Sequence, residues 1–354
     1  DSGGAIGEIL PDGTLLLRLG SVDMGQGSNS AMAQILSART GWPFGRIRVH
    51  AADSLLDPPA GMTTASRQTF ITGNAVLRMA DSPNDEIARF IRDEFGLPGN
   101  ANRPGLPGGK AAGGGVEESA GSGGPAGRTG VNVVGDAPAF RLELRDRIFR
   151  DAATGRPVLS LEDFIAAVNR KGTRVAASAR YSAPATSFSL KEPPAGHTDP
   201  TRGRLHAAYC FAAQAAALSV NRKTGKVKVH DVFIACDAGK VINRAAIEGQ
   251  MEGGVVMGLG YALSEEYREE GGIVLTDTLG KLGLLRIGQV PRIHCAVIEN
   301  AHADGPFGAK GMGELPISMG PPTVAHAVHR ALGVWVNSLP ITPEKIIRAL
   351  ADRK

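Results

Sequence analysis

Residues 96–135 constrain the fold of this chain more than any other stretch. Gly, Pro, Ala and Ser dominate them, as in Gly105-Leu106-Pro107-Gly108-Gly109 and Gly121-Ser122-Gly123-Gly124-Pro125. Large apolar side chains are too few there to offset the entropy lost on ordering. The tract therefore reads as a flexible insert or a boundary between subdomains. It splits the 354 residues into a first part, 1–95, and a second, 136–354.

On both sides of it, helix and strand patterns interleave. Residues 5–19 read as strand, turn, strand, since Pro11-Asp12-Gly13 between apolar runs is a hairpin signal. Ser28 or Asn29 can cap a helix carrying Met32, Ile35 and Leu36, which stops before Gly41-Trp42-Pro43. A strand is expected at 46–50, and a helix over 66–92 interrupted at Ser82-Pro83-Asn84. Beyond the insert come a strand at 139–144 and a helix at 161–169 capped by Ser160. Strands follow at 174–181 and 207–220, with a hairpin over 216–233 turning at 221–226. Helices at 245–264 and 321–332 close the pattern. This is an α+β chain in two subdomains, with no tandem repeat.

Bulk chemistry excludes several classes of function. Lys plus Arg number 39 against 35 Asp plus Glu, and 42% of the residues are hydrophobic. Neither the balance of +4 nor any charge run points to nucleic acid. Cys210, Cys236 and Cys295 lie far apart, without the spacing of zinc or iron-sulfur ligands, so any cluster belongs to another chain. The histidines 206, 230, 294, 302, 326 and 329 are scattered and read as structural or solvent-facing; Trp42 and Trp335 read as packing residues. No apolar run approaches the ~20 residues of a membrane span, and a cytoplasmic location is the expectation. The chain opens on Asp1 rather than Met, as though an earlier element had been cut away.

Three glycine-rich segments could carry chemistry. In Asp23-Met24-Gly25-Gln26-Gly27-Ser28, glycines flank a side-chain amide just before a helix, which suits either an anion cradle or a plain helix-entry turn. Gly249, Gly253, Gly254, Gly258 and Gly260 strip one helix face of side chains at up to ~1 kcal/mol each relative to alanine. Something must approach that backbone, and a neighbouring helix would suffice. In the run from Gly305 to Pro316, Glu314 follows flexible glycines and precedes Leu315-Pro316, which sets it in a loop leading to a helix. That loop can aim an acid or base into a cleft or leave it in solvent.

Taken in order, four motifs carry a resemblance. They are Met24-Gly25-Gln26-Gly27; Thr63-Thr64-Ala65-Ser66-Arg67-Gln68-Thr69 with Gly73-Asn74-Ala75; Gly249-Gln250-Met251-Glu252-Gly253; and Gly308-Ala309-Lys310-Gly311-Met312-Gly313-Glu314. Together they resemble the C-terminal half of the molybdopterin-binding subunit of xanthine dehydrogenases and aldehyde oxidases. The resemblance implies the molybdenum cofactor-binding fold of that family and a metal held by the pterin dithiolene rather than by protein ligands. It implies cofactor contacts from Met24, Gly25, Gln26, Gly27, Ala65, Ser66, Arg67, Gln68, Thr69, Gly249, Gln250, Gly253, Lys310, Gly311 and Gly313. Glu314 matches the catalytic glutamate, a general base for the attacking water, and enclosure would make it a better one.

Further expectations follow from the same resemblance. The pterin is expected in its cytosine dinucleotide form, and the substrate is an N-heteroaromatic compound or an aldehyde. The expected partners are the other molybdopterin-binding half, an iron-sulfur subunit with 2Fe-2S clusters and an FAD subunit. Carbon monoxide and hydroxybenzoyl-coenzyme A relatives keep the glutamate with other chemistry, and a cofactor-binding fragment without turnover is the contrasting reading. The family's first half, with its Gly-Gly-Phe-Gly motif, has no counterpart here. The size suits the second polypeptide of a split enzyme such as certain nicotinate dehydrogenases, or a fragment. Residues 275–289 are less like the family.

Overall fold

The computed structural model describes residues 1–95, 141–184 and 206–353; the glycine-rich insert expected at 96–135 lies outside them. In chain order the first elements are β1 (Ser2–Ile9), β2 (Leu15–Leu19), α1 (Ser28–Thr40), β3 (Ile47–Ala51) and α2 (Gln68–Phe95). Next come β4 (Leu142–Arg145), β5 (Ile148–Asp151), β6 (Pro157–Ser160), α3 (Leu161–Lys171) and β7 (Ala176–Ser182). The rest comprises β8 (Ala212–Val220), β9 (Val227–Asp237), α4 (Arg244–Leu263), β10 (Glu269–Glu270), β11 (Ile273–Val274) and α5 (Leu279–Leu282). β12 (Arg292–Ile298), α6 (Leu315–Leu332) and α7 (Pro343–Ala351) complete it. The mixed α and β content is as expected, although α7 was not foreseen. Its signal was in the sequence, with Thr342 capping the Lys345 N–H and Pro343 in the first turn.

Two cores organise these elements. The first sheet runs β3-β2-β1-β7, with β2 parallel to β3 and the other pairs antiparallel. Leu17, Leu19, Met32, Ile35, Met79 and Ile91 pack there with Leu142, Phe149, Leu161 and Phe164. The second sheet runs β12-β9-β8, and Ile234 beneath it meets Met251, Leu259, Val324 and Val328 of α4 and α6. The boundary expected at 136 does not follow this packing. β7 pairs with β1 from Ser2 opposite Ser182 to Glu8 opposite Ala176, and Leu161 and Phe164 are fully buried in the first core. The elements of 142–182 thus complete the first unit rather than open the second.

Other local expectations are corrected by packing. α2 runs unbroken through Pro83, although a mid-helix proline costs about 3 kcal/mol. Met79 and Ala80 before it and Ile87, Ala88 and Ile91 after it are all buried in one core, so breaking the helix would expose one set. α6 begins at Leu315 rather than at 321, with Pro321 and Pro322 inside it. Its earlier turns are held because Gly320 meets α4 backbone to backbone. The glycines of α4 divide in the same way: a methyl at Gly254 would lie 2.6 Å from Pro316 and one at Gly258 2.7 Å from the Ile317 carbonyl, while Gly249 and Gly253 meet nothing within 4 Å.

The tryptophans pack as read from the sequence. Trp42 is buried and donates to the Gly13 carbonyl at 3.2 Å. Trp335, half exposed, stacks on His329 with ring centres 4.1 Å apart. Among the described residues no helix is long and apolar enough to cross a membrane.

Candidate functional site

Between the two cores lies a cleft of about 220 Å³, and four helices begin at its wall. Gly27 and Ser28 bring the start of α1, Gln68 and Thr69 that of α2, Asn243 and Ala246 that of α4, and Gly313 and Glu314 that of α6. First-turn N–H groups have no carbonyl partner within their own helix, and each N-terminus carries partial positive charge. Asp23 already takes the Asn29 N–H of α1 and Asn243 the Ala246 N–H of α4; the remaining first-turn donors at this wall can meet an anionic group.

The loop before α1 owes its shape to Asp23, which the sequence reading passed over. Its carboxylate accepts from the N–H groups of Gly25 at 2.9 Å, Gly27 at 3.3 Å and Asn29 at 2.9 Å. Burial works against that charge, but the donors of Asn29, Gly25 and Gly27 outweigh it and hold the carboxyl below its ordinary value. Neither Ser28 nor Asn29 caps α1: the cap residue is Gly27 at φ 79, without a side-chain bond. The pattern Asp23-x-Gly25-x-Gly27 could have been read as an acceptor followed by N–H groups free to turn toward it. Gln26 closes the loop on itself, donating to the Val22 carbonyl at 3.0 Å while its oxygen accepts from the Met24 N–H. Met24 is exposed at the rim.

From the facing side comes the loop 62–68. Arg67 sends its guanidinium to the carbonyls of Ala60 and Met62, each at 2.8 Å, and of Ser2 at 2.9 Å. Gln68 is buried and donates to Met62 O at 3.0 Å. Both line the cleft, yet the terminal guanidinium nitrogens of Arg67 and the amide nitrogen of Gln68 donate to main chain, and the Gln68 oxygen accepts from the Thr72 hydroxyl. Ala65 and Ser66 stand at φ 53 and 52, a left-handed conformation costing about 1–3 kcal/mol for a residue with a side chain.

The third wall is the segment 309–314. Lys310 is buried and its ammonium lies 2.6 Å from Asp237 Oδ2. Burial disfavours the Asp237 charge, but Lys310 and the N–H groups of Gly239 and Asn300 prevail and lower its carboxyl. Lys310 thus acts as an internal strut. Behind it the half-buried Cys210 thiol donates to the Gly311 carbonyl at 2.6 Å, and burial pushes that thiol up. Glu314, at the cap of α6, accepts from the Ala65 N–H at 3.2 Å. The enclosure expected for it is not supplied by the described residues, since Glu314 is exposed.

Of the residues expected to gather, Met24, Gln26, Gly27, Ser66, Arg67, Gln68, Thr69, Gln250, Lys310, Gly311, Gly313 and Glu314 all line this cleft. Gly25 and Ala65 lie in the same loops beside them. Gly249 and Gly253 flank Gln250 on α4 but face open space rather than the cleft. Lys240, Asn243 and Ile247 also line the space and were not anticipated; the lone Gly239 before Lys240 is not part of a glycine-rich run like those that marked the others.

Comparison with known proteins follows the same lines. The family described as "Molybdopterin cofactor-binding domain" matches residues 1–101 and 132–291. The chain is 26% identical over 354 residues to a probable xanthine dehydrogenase subunit of Bacillus subtilis, covering all of this chain and 40% of that protein. It is 34% identical over 149 residues to the "Aldehyde oxidoreductase" of Megalodesulfovibrio gigas, covering 42% of this chain and 16% of the relative. The crystal structure of quinoline 2-oxidoreductase from Pseudomonas putida 86 superposes with a TM-score of 0.72 at 22% identity, over 100% of this chain and 38% of that one, and so shares the fold. The chain accordingly spans less than half the length of these relatives. With the fold, the ordered motifs and the family match in agreement, this chain belongs to the molybdopterin cofactor-binding domain family.

Proposed function

We propose that the cleft binds molybdopterin, in its cytosine dinucleotide form, and that Glu314 is the base for hydroxylation of an N-heteroaromatic compound or an aldehyde with water as the oxygen source. One observation carries this reading: four helix N-termini and a lone carboxylate face the same space. The residues present fit the cofactor. Its phosphates are anionic and match first-turn N–H groups and the amide-rich loops. From α4, Gln250 brings a side-chain amide to the cleft wall, where it can meet a polar ring edge.

When bound, the molybdenum-bearing pterin supplies acceptance of two electrons from the substrate. The chain's own residues do the rest. Glu314 takes the proton of the attacking water at a carboxylate oxygen. Asp23 shapes the α1 loop, and Arg67 and the Asp237–Lys310 pair fix the two facing loops. Closure against solvent, which strengthens every charge interaction in the site, falls to another polypeptide, the other molybdopterin-binding half. Iron-sulfur and FAD subunits would carry the electrons away, in a cytoplasmic assembly. The exposure of Glu314 favours a second reading for the chain by itself, a cofactor-binding piece without turnover until its partner is present.

The test is molybdenum and pterin content of the purified protein, with and without co-expression of neighbouring gene products, together with the Glu314→Gln variant. The expected result is cofactor retained and turnover reduced by about 10²–10⁴-fold in that variant. Absence of both metal and pterin from the co-expressed complex would sink the proposal.

A further inference from the structure

Glu314 is held by a residue from the other core. The Ser66 hydroxyl accepts from the Glu314 backbone N–H at 2.9 Å and donates to the Glu314 carboxylate at 3.4 Å. The neighbouring Ala65 N–H reaches the other carboxylate oxygen at 3.2 Å. One hydroxyl has one proton to give and lone pairs to receive, so both bonds of Ser66 can exist together. Main chain and side chain of Glu314 are thereby gripped by a single neighbour.

The grip depends on backbone that is costly to form. Both Ala65 and Ser66 sit at positive φ, and the Ser66 carbonyl lies against Gly311 so closely that a methyl on that glycine would be 1.4 Å from its oxygen. Cys210 holds the Gly311 carbonyl from the opposite side. A helix start needs only an acceptor for its first N–H groups, which a solvent-facing serine could provide without left-handed backbone or interlocked loops. The extra structure aims the carboxylate.

We propose that Ser66 is a positioning residue for Glu314, setting where its carboxylate meets the attacking water; this rests on the reading of Glu314 as the base. With both bonds intact the carboxylate has one orientation relative to the loop of the first core. Without the hydroxyl it keeps only the Ala65 N–H and swings about its own side-chain torsions. Displacement by ~1 Å of a reacting group costs up to ~10²-fold in rate.

The experiment uses the co-expressed complex and compares Ser66→Ala, Ser66→Gly and Glu314→Gln. Oxidation of nicotinate, xanthine and benzaldehyde is followed with ferricyanide as acceptor, and every rate is expressed per bound molybdenum. In both Ser66 variants kcat per molybdenum should fall roughly 10- to 100-fold with KM within about threefold, and adding Ser66→Ala to Glu314→Gln should cost nothing further. Glycine relieves the left-handed backbone and alanine does not, so a loss caused by strain would recover in Ser66→Gly, and that recovery overturns the proposal. Retained turnover per molybdenum in the Ser66 variants while Glu314→Gln is inactive also overturns it. Full activity of Glu314→Gln instead overturns the reading of the site. Independently of activity, crystals of Ser66→Gly should show the Glu314 carboxylate displaced from Ala65, and an unmoved carboxylate refutes the positioning role.

Discussion

Gly258 of α4 and Gly320 of α6 touch backbone to backbone: a methyl on Gly320 would lie 2.4 Å from the Gly258 carbonyl carbon. Alanine is ordinarily the better helix former by about 1 kcal/mol. Here the contact is with main chain, which cannot rotate away, and overpacking costs about 1–3 kcal/mol. Gly320→Ala should therefore lower the urea midpoint, measured by far-ultraviolet circular dichroism. An unchanged or raised midpoint would mean that the helices are further apart than described.

The opposite sign is expected at Gly253, where an added methyl meets nothing within 4 Å. Gly253→Ala should stabilise the cofactor-free chain by up to ~1 kcal/mol and leave the pterin bound per chain unchanged, because the residue does not line the cleft. Thermal shift together with pterin fluorescence measures both. Improved stability with diminished pterin would place this face of α4 against the cofactor.

Lys310→Met leaves the Asp237 carboxylate buried beside only the N–H groups of Gly239 and Asn300. Loss of one partner of a buried pair costs about 3–5 kcal/mol, and the unfolding midpoint should drop accordingly. Because Asp237 is held below its ordinary value of 3.8, its contribution is complete above that pH and is lost as pH falls through the lower folded value. Acid unfolding of Asp237→Asn should therefore be shallower below about pH 3.8 than that of the unaltered chain. Equal slopes would count against the ion pair.

Arg67→Lys keeps the charge but cannot reach the carbonyls of Ala60, Met62 and Ser2 with one planar fork. These carbonyls are part-buried or exposed, so each lost bond costs about 0.5–1.5 kcal/mol. The variant should lose stability, and cofactor content should fall with it. Normal stability with cofactor loss alone would assign Arg67 to the ligand instead of the loop.

These contrasts show what the residue order makes legible. Met24 to Gly27 and Gly308 to Glu314 stand out because close backbone approach favours glycine, which composition shows; Thr63 to Thr69 has no glycine, and its left-handed Ala65 and Ser66 are marked only by the family resemblance. The Ser160 cap of α3 was equally plain, since a cap is local: its hydroxyl accepts from the Asp163 N–H. What stayed hidden is set at a distance. Pro83 reads as a helix breaker until the burial of Met79 and Ile91 on either side of it is known. Arg67 and Lys310 are expected from the resemblance to contact the cofactor, because a sequence shows a side chain but not the partner that already holds it. The return of β7 to β1 spans more than half of the first unit and leaves no short-range trace.

The cations that line the cleft are engaged within the protein: Arg67 on carbonyls, Lys310 with Asp237 and Lys240 with Glu299 at 3.1 Å. Apart from Lys240, whose pairing lies at the surface and can exchange, what meets a ligand's negative charge is then peptide dipoles, which do not titrate. Such a receptor tells anions apart by the directions of their oxygens more than by their total charge. Its hold should stay nearly level from mildly acid to mildly alkaline solution, where a lysine- or histidine-built seat would drift.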